Sequence, residues 1–374
     1  MKIGITGPNG FVAGHLARRL ALENEKYQVH PISREILYDK EALGKAVSDL
    51  EVVVHLAGLN RHNDPDEIYR VNIELAEKLI EACTSSVASP HIIFSSSTQE
   101  VRDNLYGNSK KIARQKLTDW ATSSNGAFTG MIIPNVFGPF GDPYYNSVVA
   151  TFSHQLCNGE EPKIEVDGTM NLIYVQDLVE RMVEVINSDT KAGEAIAMEV
   201  ESSFSMKVTE LLAMLNEFKS SYFENGEIPD INDKTRRDLF NTFRSYIDLN
   251  NFFPRDYTKH TDDRGSFIEL IRLNTGGQVS FSTTVPGITR GNHYHTRKVE
   301  RFSVIKGKAT IEMRRVDQDE VHHFDLDGDM PSYVDMPIWY THNISNVGDE
   351  ELVTVFWINE HFDPEDADTY FLTV

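Results

Sequence analysis

Cysteine is almost missing from this chain. Cys83 and Cys157 are the only two in 374 residues, too few for a disulfide framework. No apolar run approaches the roughly 20 residues that cross a bilayer. Positive charge is scarce, with 36 Lys and Arg against 57 Asp and Glu, a net charge of −21. That balance argues against a nucleic-acid partner or an anionic membrane, although a local basic site for one phosphate remains compatible with it. There is no internal repeat and no low-complexity stretch. The opening residues, MKIGITG, begin directly as a strand and leave no room for a secretory leader, so a cytoplasmic protein is expected. The apolar and charged fractions, 40% and 25%, are near the globular average and suit packed soluble domains. The length is too great for one ordinary domain and suits two.

What is present is ordered. Residues 2–6 form a short apolar strand, Gly7, Gly10 and Gly14 follow in GPNGFVAG, and HLARRLALE then has helical spacing. A glycine-rich turn between a first strand and a helix is how a dinucleotide pyrophosphate is seated. Glycine allows the tight turn and close approach, and the helix N-terminus offers free N–H groups. Gly7, Asn9, Gly10, Phe11 and Val12 are the candidate contacts, and Ala13 is small enough for the helix to pack on the strand. The next strand, 27–32, ends in Ser33-Arg34-Glu35. An acid at such an end binds the ribose 2′-hydroxyl of NAD, and an arginine suits the 2′-phosphate of NADP. Arg34 favours NADPH, with Glu35 near enough to leave NAD open.

A third strand, 51–56, runs into Leu56, Ala57 and Gly58, a small end over which a cofactor can lie flat. Asn72, at the start of helical spacing, is either a cap or a backbone brace. The strand 91–95 delivers Ser95, Ser96 and Ser97 at its carboxyl end, where open α/β sheets bind ligands. The strand 129–133 leads into Pro134 and Asn135. This alternation implies a doubly wound parallel sheet with helices on both faces.

Tyr106 and Lys110 stand four residues apart and share one helix face. A tyrosine passes its proton to a carbonyl oxygen readily only when its pKa, near 10, is pulled down. An ammonium one turn away does that by favouring the phenolate. With a serine hydroxyl on the same oxygen, the trio is equipped to reduce a carbonyl or oxidise an alcohol beside a hydride carrier.

The ordered motifs T-G-x-x-G-F, H-L-A-G, S-S-S, Y-G-x-S-K and P-N-V-F-G-P resemble the extended short-chain dehydrogenases/reductases that act on nucleotide sugars, over residues 1–250. The resemblance implies a Rossmann-type fold in which Tyr106 is the proton donor. Lys110 would hold the nicotinamide ribose and lower the tyrosine pKa. Ser97 would bind the carbonyl, with Ser96 as second candidate. Sugar-nucleotide dehydratases of this group carry an Asp-Glu pair directly after the catalytic Ser or Thr. Thr98 and Gln99 occupy those places here, and Glu100 is one position off. Dehydration is disfavoured, and reduction or epimerisation favoured. The segment 142–177 is expected to face a UDP-sugar, with Asn135, Asn146 and Ser147 as candidate substrate contacts. Asp177 resembles a family position and is equally explained as a helix N-cap.

From 258 to 374 the pattern changes to short strands and turns, an all-β barrel or sandwich. Here Gly287, His293, His295, Glu300 and Gly307 fall at G-x5-H-x-H-x4-E-x6-G. Residues i and i+2 of a strand share a face, so the two histidines converge. Glu300 can join them from the next strand and His342 from a later one. Three imidazoles and a carboxylate suit one divalent ion, zinc foremost, with nickel, iron or manganese also admitted. These motifs resemble the cupin superfamily. Its second motif usually has glycine where Trp339 stands, and the bulky ring is expected to narrow the pocket mouth. Asp263-Arg264-Gly265-Ser266-Phe267 also resembles the opening of cupins that epimerise keto-deoxysugar nucleotides.

An extended reductase joined to a metal cupin resembles the bifunctional capsular-polysaccharide enzymes on the way to UDP-N-acetyl-L-fucosamine. The implied chemistry is C3 epimerisation of a UDP-2-acetamido-2,6-dideoxy-4-hexulose by the cupin. C4 reduction with NADPH then gives UDP-2-acetamido-2,6-dideoxy-L-talose. The epimerisation base is open among Lys298, Tyr294 and His322. A homodimer, through the cupin domain, is expected. The rival readings are a single-activity reductase with a dimerising cupin, an NAD-retaining UDP-sugar 4-epimerase, and a non-enzymatic redox sensor or binding protein.

Overall fold

Short β-branched strands and amphipathic helices alternate from the first residues. The elements are β1 (Lys2–Thr6), α1 (Phe11–Ala21), β2 (Gln28–Ile32), α2 (Arg34–Tyr38), α3 (Lys40–Val47), β3 (Val52–His55), α4 (Pro65–Ser85), β4 (His91–Ser97), α5 (Leu105–Ser123), β5 (Ala127–Ile133), β6 (Asn135–Phe137), α6 (Val148–Cys157), β7 (Thr169–Tyr174), α7 (Val175–Ile186), β8 (Ala195–Glu199) and β9 (Phe204–Lys207). The computed structural model describes every residue except residue 264, so the arginine of the Asp263–Phe267 motif lies outside the described residues. The chain divides into two units, residues 1–151 with 166–208, and residues 152–165 with 209–374.

In the first unit a parallel sheet has the order β2-β1-β3-β4-β5-β8. Both faces are covered, which is why β3 is buried at all four residues. Period-two alternation splits its side chains between two cores. Val52 and Val54 pack with Leu16 and Leu20 of α1 and Leu178 and Met182 of α7. Val53 packs with Leu79 of α4 and Leu117 of α5. Strand order reverses at β1, with β2 on one side and β3 on the other. The carboxyl ends of β1 and β3 therefore frame a crevice, the place where open α/β sheets take a ligand. A smaller sheet, β6-β7-β9, adds to the same end. This is the expected Rossmann-type fold.

The second unit holds α8 (Val208–Phe218), α9 (Lys234–Arg244), α10 (Leu249–Phe252), β10 (Arg255–Asp256), β11 (Lys259–Asp262), β12 (Gly265–Ile268), β13 (Gln278–Thr284), β14 (Thr289–Tyr294), β15 (Glu300–Lys306), β16 (Lys308–Arg315), β17 (Val321–Asp327), β18 (Ser332–Met336), β19 (Tyr340–Asn346), β20 (Leu352–Ile358) and β21 (Tyr370–Phe371). Two five-stranded sheets, β10-β18-β15-β20-β13 and β17-β16-β19-β14-β21, carry the all-β cupin architecture. Val304, Ile311, Met313, Val334 and Leu352 fill its core.

The expected division near residue 250 falls inside this second unit. The reason is a buried charge. Arg301 is 1% exposed and donates to Asp335 at 2.7 and 2.9 Å. The helical segment completes that pair. The Tyr222 hydroxyl donates to Asp335 at 2.8 Å, and the Gly226 carbonyl accepts from Arg301 at 2.9 Å. Arg244 and Asn241 add bonds to the Met336 and Arg297 carbonyls, each at 3.1 Å. Asp335→Ala strands a buried guanidinium and is expected to destabilise this unit by about 3–5 kcal/mol. Hydrogen exchange across residues 300–336 should accelerate while exchange in β1 and β3 stays unchanged.

Candidate active site and metal centre

β1 ends at Thr6, whose hydroxyl accepts from the Leu56 and Ala57 N–H groups at 3.0 and 2.9 Å. It meets His55 Nδ1 at 2.9 Å. One side chain thus ties the ends of β1 and β3 together. Gly7 follows with φ +64°, and a Cβ there would lie 3.1 Å from Ala57 Cα. Only glycine meets both demands without strain. Beyond this turn a cleft of about 640 Å³ opens, lined by Gly7, Gly10, Phe11, Val12, Leu56, Gly58, Ser95, Ser96, Ser97, Tyr106, Lys110, Pro134, Asn135, Asn146 and Ser147, among others.

The cofactor candidates Asn9, Arg34 and Ala57 are not among its lining residues. Ala57 packs against Gly7. Arg34 is exposed in the first turn of α2 at the carboxyl end of β2, its guanidinium 5.8 Å from the Tyr38 ring centre.

Tyr106 and Lys110 lie on α5, capped by Asn104, which accepts from the Gly107 N–H at 2.7 Å. Gly107 is a forced choice, since a Cβ there would sit 2.1 Å from the Gln99 carbonyl oxygen. The Lys110 ammonium is buried and donates to the Ser95 carbonyl at 3.0 Å. It stands 6.0 Å from the centre of the Tyr106 ring. Burial lowers the lysine to about 8, with Glu100 pulling the other way. Burial also raises the Tyr106 phenol to about 12, opposed by the neighbouring Ser97 hydroxyl. The counterweight to desolvation at the phenol is thus the Ser97 hydroxyl rather than Lys110.

The serines separate clearly. Ser97 accepts from the Gln99 N–H at 3.2 Å and faces Tyr106. Ser96 donates to Glu100, which holds Arg114 through bonds of 2.7 and 2.9 Å. Burial raises the Glu100 carboxyl, but bonds from Arg114 and Ser96 outweigh it and hold it low. Glu100 is thus committed to an ion pair.

Asn72 is a brace rather than a cap. It sits inside α4, where Asp64 is the N-cap. Its amide accepts from the Leu59 N–H at 2.7 Å and donates to the Ser109 hydroxyl at 3.0 Å, and Ser109 donates to the Tyr106 carbonyl at 2.7 Å. Asp177 is no N-cap either. Tyr174 holds that position, and Asp177 accepts from the Ser203 hydroxyl at 2.7 Å. Sequence reading did not single out Arg61, which donates to the Tyr144 and Tyr145 carbonyls at 2.6 and 3.1 Å. It thereby pins the loop carrying Asn146 and Ser147, and a lone arginine in a loop gives no signal of that.

In the second unit His293, His295, Glu300 and His342 bring one ligand atom each within 4.8 Å of one another. A register shift falls between Gly291 and His293, just before the first of the two histidines. His295 Nε2 and His342 Nε2 approach Glu300 Oε2 at 3.0 and 3.3 Å. All three atoms are buried without a hydrogen bond of acceptable geometry. The other ring nitrogens donate to backbone carbonyls, His295 Nδ1 to Asp368 at 2.5 Å and His342 Nδ1 to Tyr340 at 3.2 Å. A carbonyl only accepts, so each Nδ1 carries a proton and each Nε2 is the atom left to bind an ion in the cluster. Burial, with His342 next, lowers His293 to about 4, a neutral imidazole at neutral pH. Burial would raise Glu300, but His295 and His342 hold it far below the usual carboxylate range. Burial opposes the charged form of His295, but Glu300 beside it outweighs that and raises it. Buried imidazoles with orphaned Nε2 atoms around one carboxylate fit a divalent cation, which would replace a proton there.

Trp339 has φ +64° and is buried, so it adopts the backbone that the usual glycine would take while its ring tilts onto Tyr294. His342 keeps its place in the cluster. Of the candidate bases, Lys298 is spent on the Ala367 carbonyl at 2.6 Å. Burial raises the Tyr294 phenol to about 12, and its ring stacks on Tyr370. His322 meets Asn250 at 2.8 Å.

Residues 3–198 match the NAD dependent epimerase/dehydratase family and residues 260–370 the polysaccharide biosynthesis C-terminal domain. The chain is 34% identical to a UDP-2-acetamido-2,6-beta-L-arabino-hexul-4-ose reductase of Pseudomonas aeruginosa, over 100% of this chain and 99% of that one. It is similar to the crystal structure of the capsular polysaccharide assembling protein CapF from Staphylococcus aureus, with TM-score 0.64, 34% identity and 100% of both chains covered. The structure of RMD from Pseudomonas aeruginosa complexed with NADPH, at 21% identity and TM-score 0.53, covers 59% of this chain and 84% of that one. That last likeness speaks to the fold alone. Among the described residues no helix is long and apolar enough to cross a membrane.

Purified protein is expected to carry one divalent ion per chain by elemental analysis. Glu300→Gln and His342→Ala should lose it on dialysis against a chelator that leaves the wild type loaded.

Proposed function

The chain belongs to the NAD dependent epimerase/dehydratase family, and from that premise we propose that it is a bifunctional nucleotide-sugar enzyme. Its second unit epimerises C3 of a UDP-2-acetamido-2,6-dideoxy-4-hexulose. Its first unit reduces the C4 ketone with NADPH to UDP-2-acetamido-2,6-dideoxy-L-talose, for capsule or O-antigen UDP-N-acetyl-L-fucosamine. The observation that carries the reading is the Ser97–Tyr106–Lys110 group in a cleft beside the glycine turn, in a chain similar end to end to a hexulose reductase.

The residues divide the work as follows. Tyr106, raised to about 12, keeps its proton at neutral pH and gives it to the oxygen that gains charge as the ketone is reduced. Ser97 accepts from the Gln99 N–H and lies against the Tyr106 phenol, so its proton can turn from the phenol to the substrate oxygen. Lys110, anchored on the Ser95 carbonyl, holds the ribose side of the cofactor and opposes the negative charge developing on Tyr106. A reduced nicotinamide dinucleotide seated at Gly7 and Gly10, with Arg34 toward its 2′-phosphate, would supply the hydride. Thr98 and Gln99 offer no acid–base pair, and Glu100 is locked to Arg114, which supports reduction over dehydration.

In the second unit His293, His295, Glu300 and His342 would hold a divalent ion, zinc foremost, whose charge would stabilise an enolate while a base takes the proton next to the ketone and a proton returns to the opposite face of C3. The side chains around it exclude water, which strengthens that interaction.

With the UDP-4-keto sugar supplied, wild-type protein is expected to consume NADPH. Tyr106→Phe should lose roughly 10²–10⁴-fold in kcat. In D2O the full-length Tyr106→Phe chain should place deuterium at C3 without reduction. Sugar recovered unlabelled overturns the epimerase half, and tightly bound NAD with no need for added NADPH overturns the reductase half. Lys110 loses its proton as pH rises through about 8, while Tyr106 still keeps its own. The kcat/KM for reduction should therefore fall on the alkaline side of that value, in a pH–rate profile.

A further inference from the structure

The last residues of the chain are woven onto the metal-bearing strands. β21 pairs with β14, placing Phe371 opposite His293 and Tyr370 opposite Tyr294. The Leu372 N–H donates to the Asn292 carbonyl at 2.9 Å. Arg314 donates to the Thr373 carbonyl at 2.8 Å, and Thr341 donates to the Leu372 carbonyl. At the head of this segment stands Asp368, 5% exposed and in the left-handed region with φ +42°.

Asp368 makes two kinds of bond. Its carboxylate accepts from the Thr296 N–H and hydroxyl at 3.0 and 2.6 Å, and from the Arg297 and Lys298 N–H groups at 3.1 Å each. That is a nest of backbone donors in the turn directly after His295. Its own carbonyl accepts from His295 Nδ1. The left-handed backbone lets one residue turn both its carboxylate and its carbonyl toward the same loop. Aspartate is among the few residues that adopt it at low cost.

We propose that Asp368 is a positioning residue for the metal centre, acting through His295. The carboxylate fastens the end of the chain to the 296–298 turn. The carbonyl then holds the proton on Nδ1 and aims the Nε2 lone pair at the cluster. Such outer partners of a ligating imidazole fix its tautomer and ring orientation. The C-terminal segment is in this sense a working part of the metal site. The inference rests on the metal reading given above for His293, His295, Glu300 and His342.

The test compares divalent-ion affinity in the full-length chain. Apoprotein is titrated with zinc against a chromophoric chelator, and the visible spectrum is recorded after cobalt loading. Asp368→Ala is expected to weaken zinc binding on the order of 10–100-fold and to shift the cobalt bands. Asp368→Asn, which keeps an acceptor on one side of the nest and turns a donor on the other, should fall between. Asp366→Ala removes an exposed ion pair to Arg297 on the same segment and should bind zinc like the wild type. Circular dichroism and NADPH binding verify that each variant is folded. A folded Asp368→Ala with wild-type affinity and spectrum overturns the proposal, as does an Asp366→Ala as weak as Asp368→Ala. Wild-type protein that takes up no divalent ion overturns the metal reading itself.

Discussion

Lys110 carries a charge into the edge of a sheet covered on both faces, and the first unit is shaped by the need to hold it. Its ammonium lies against the Ser95 carbonyl and 5.0 Å from the centre of the Phe94 ring. Glu100 is near enough to favour the charge but is itself committed to Arg114 and Ser96. Neighbouring backbone must make room. A Cβ on Gly58 would lie 3.2 Å from the ammonium. The Asn72 and Ser109 bonds hold the start of α5 against the loop after β3. Burial is also what sets the protons here, leaving the lysine near 8 and the tyrosine near 12. The site as folded holds a protonated phenol beside a buried cation, the state that the proposed acid role requires.

The second unit meets the same constraint twice on successive residues. Glu300 and Arg301 point to opposite faces of β15, and both are buried. Each must find its compensation on its own side. Glu300 finds imidazoles, and an ion fits among them. Arg301 finds Asp335, with Tyr222 and the Gly226 carbonyl behind it. Removing the helical segment would leave that pair half solvated, which is the energetic reason residues 209–252 group with the barrel. The C-terminal segment plays the matching part on the Glu300 side, by orienting a ligand rather than by adding a charge.

Much of the site was legible in the residues because its signals are local. Gly7 and Gly10 lie within one turn of backbone, Tyr106 and Lys110 one helical turn apart, and His293 and His295 two residues apart along a strand, so short-range spacing alone relates each pair. Ser97 against Ser96 was not decidable that way. The two are adjacent, and only the partner each finds, Tyr106 or Glu100, separates them. The bulk of Trp339 was visible in the residue type, and its left-handed φ was not. Asn72 was ambiguous because both a cap and a brace use the same amide.

The sequence by itself determined the fold class of both units, since hydrophobic period and glycine placement act over a few residues. It also carried the donor types of each candidate site and their spacing, which are written in the chain. Tertiary structure decided what depends on burial and on distant partners. It set the proton affinities of Tyr106 and Lys110, because desolvation exists only once the sheet is covered. It put Glu100 out of play, drew the second unit's boundary before its helices, and brought Asp368 from the end of the chain to the back of His295, 73 positions away. No local pattern encodes a contact of that separation, because the intervening strands must pair before the two residues meet.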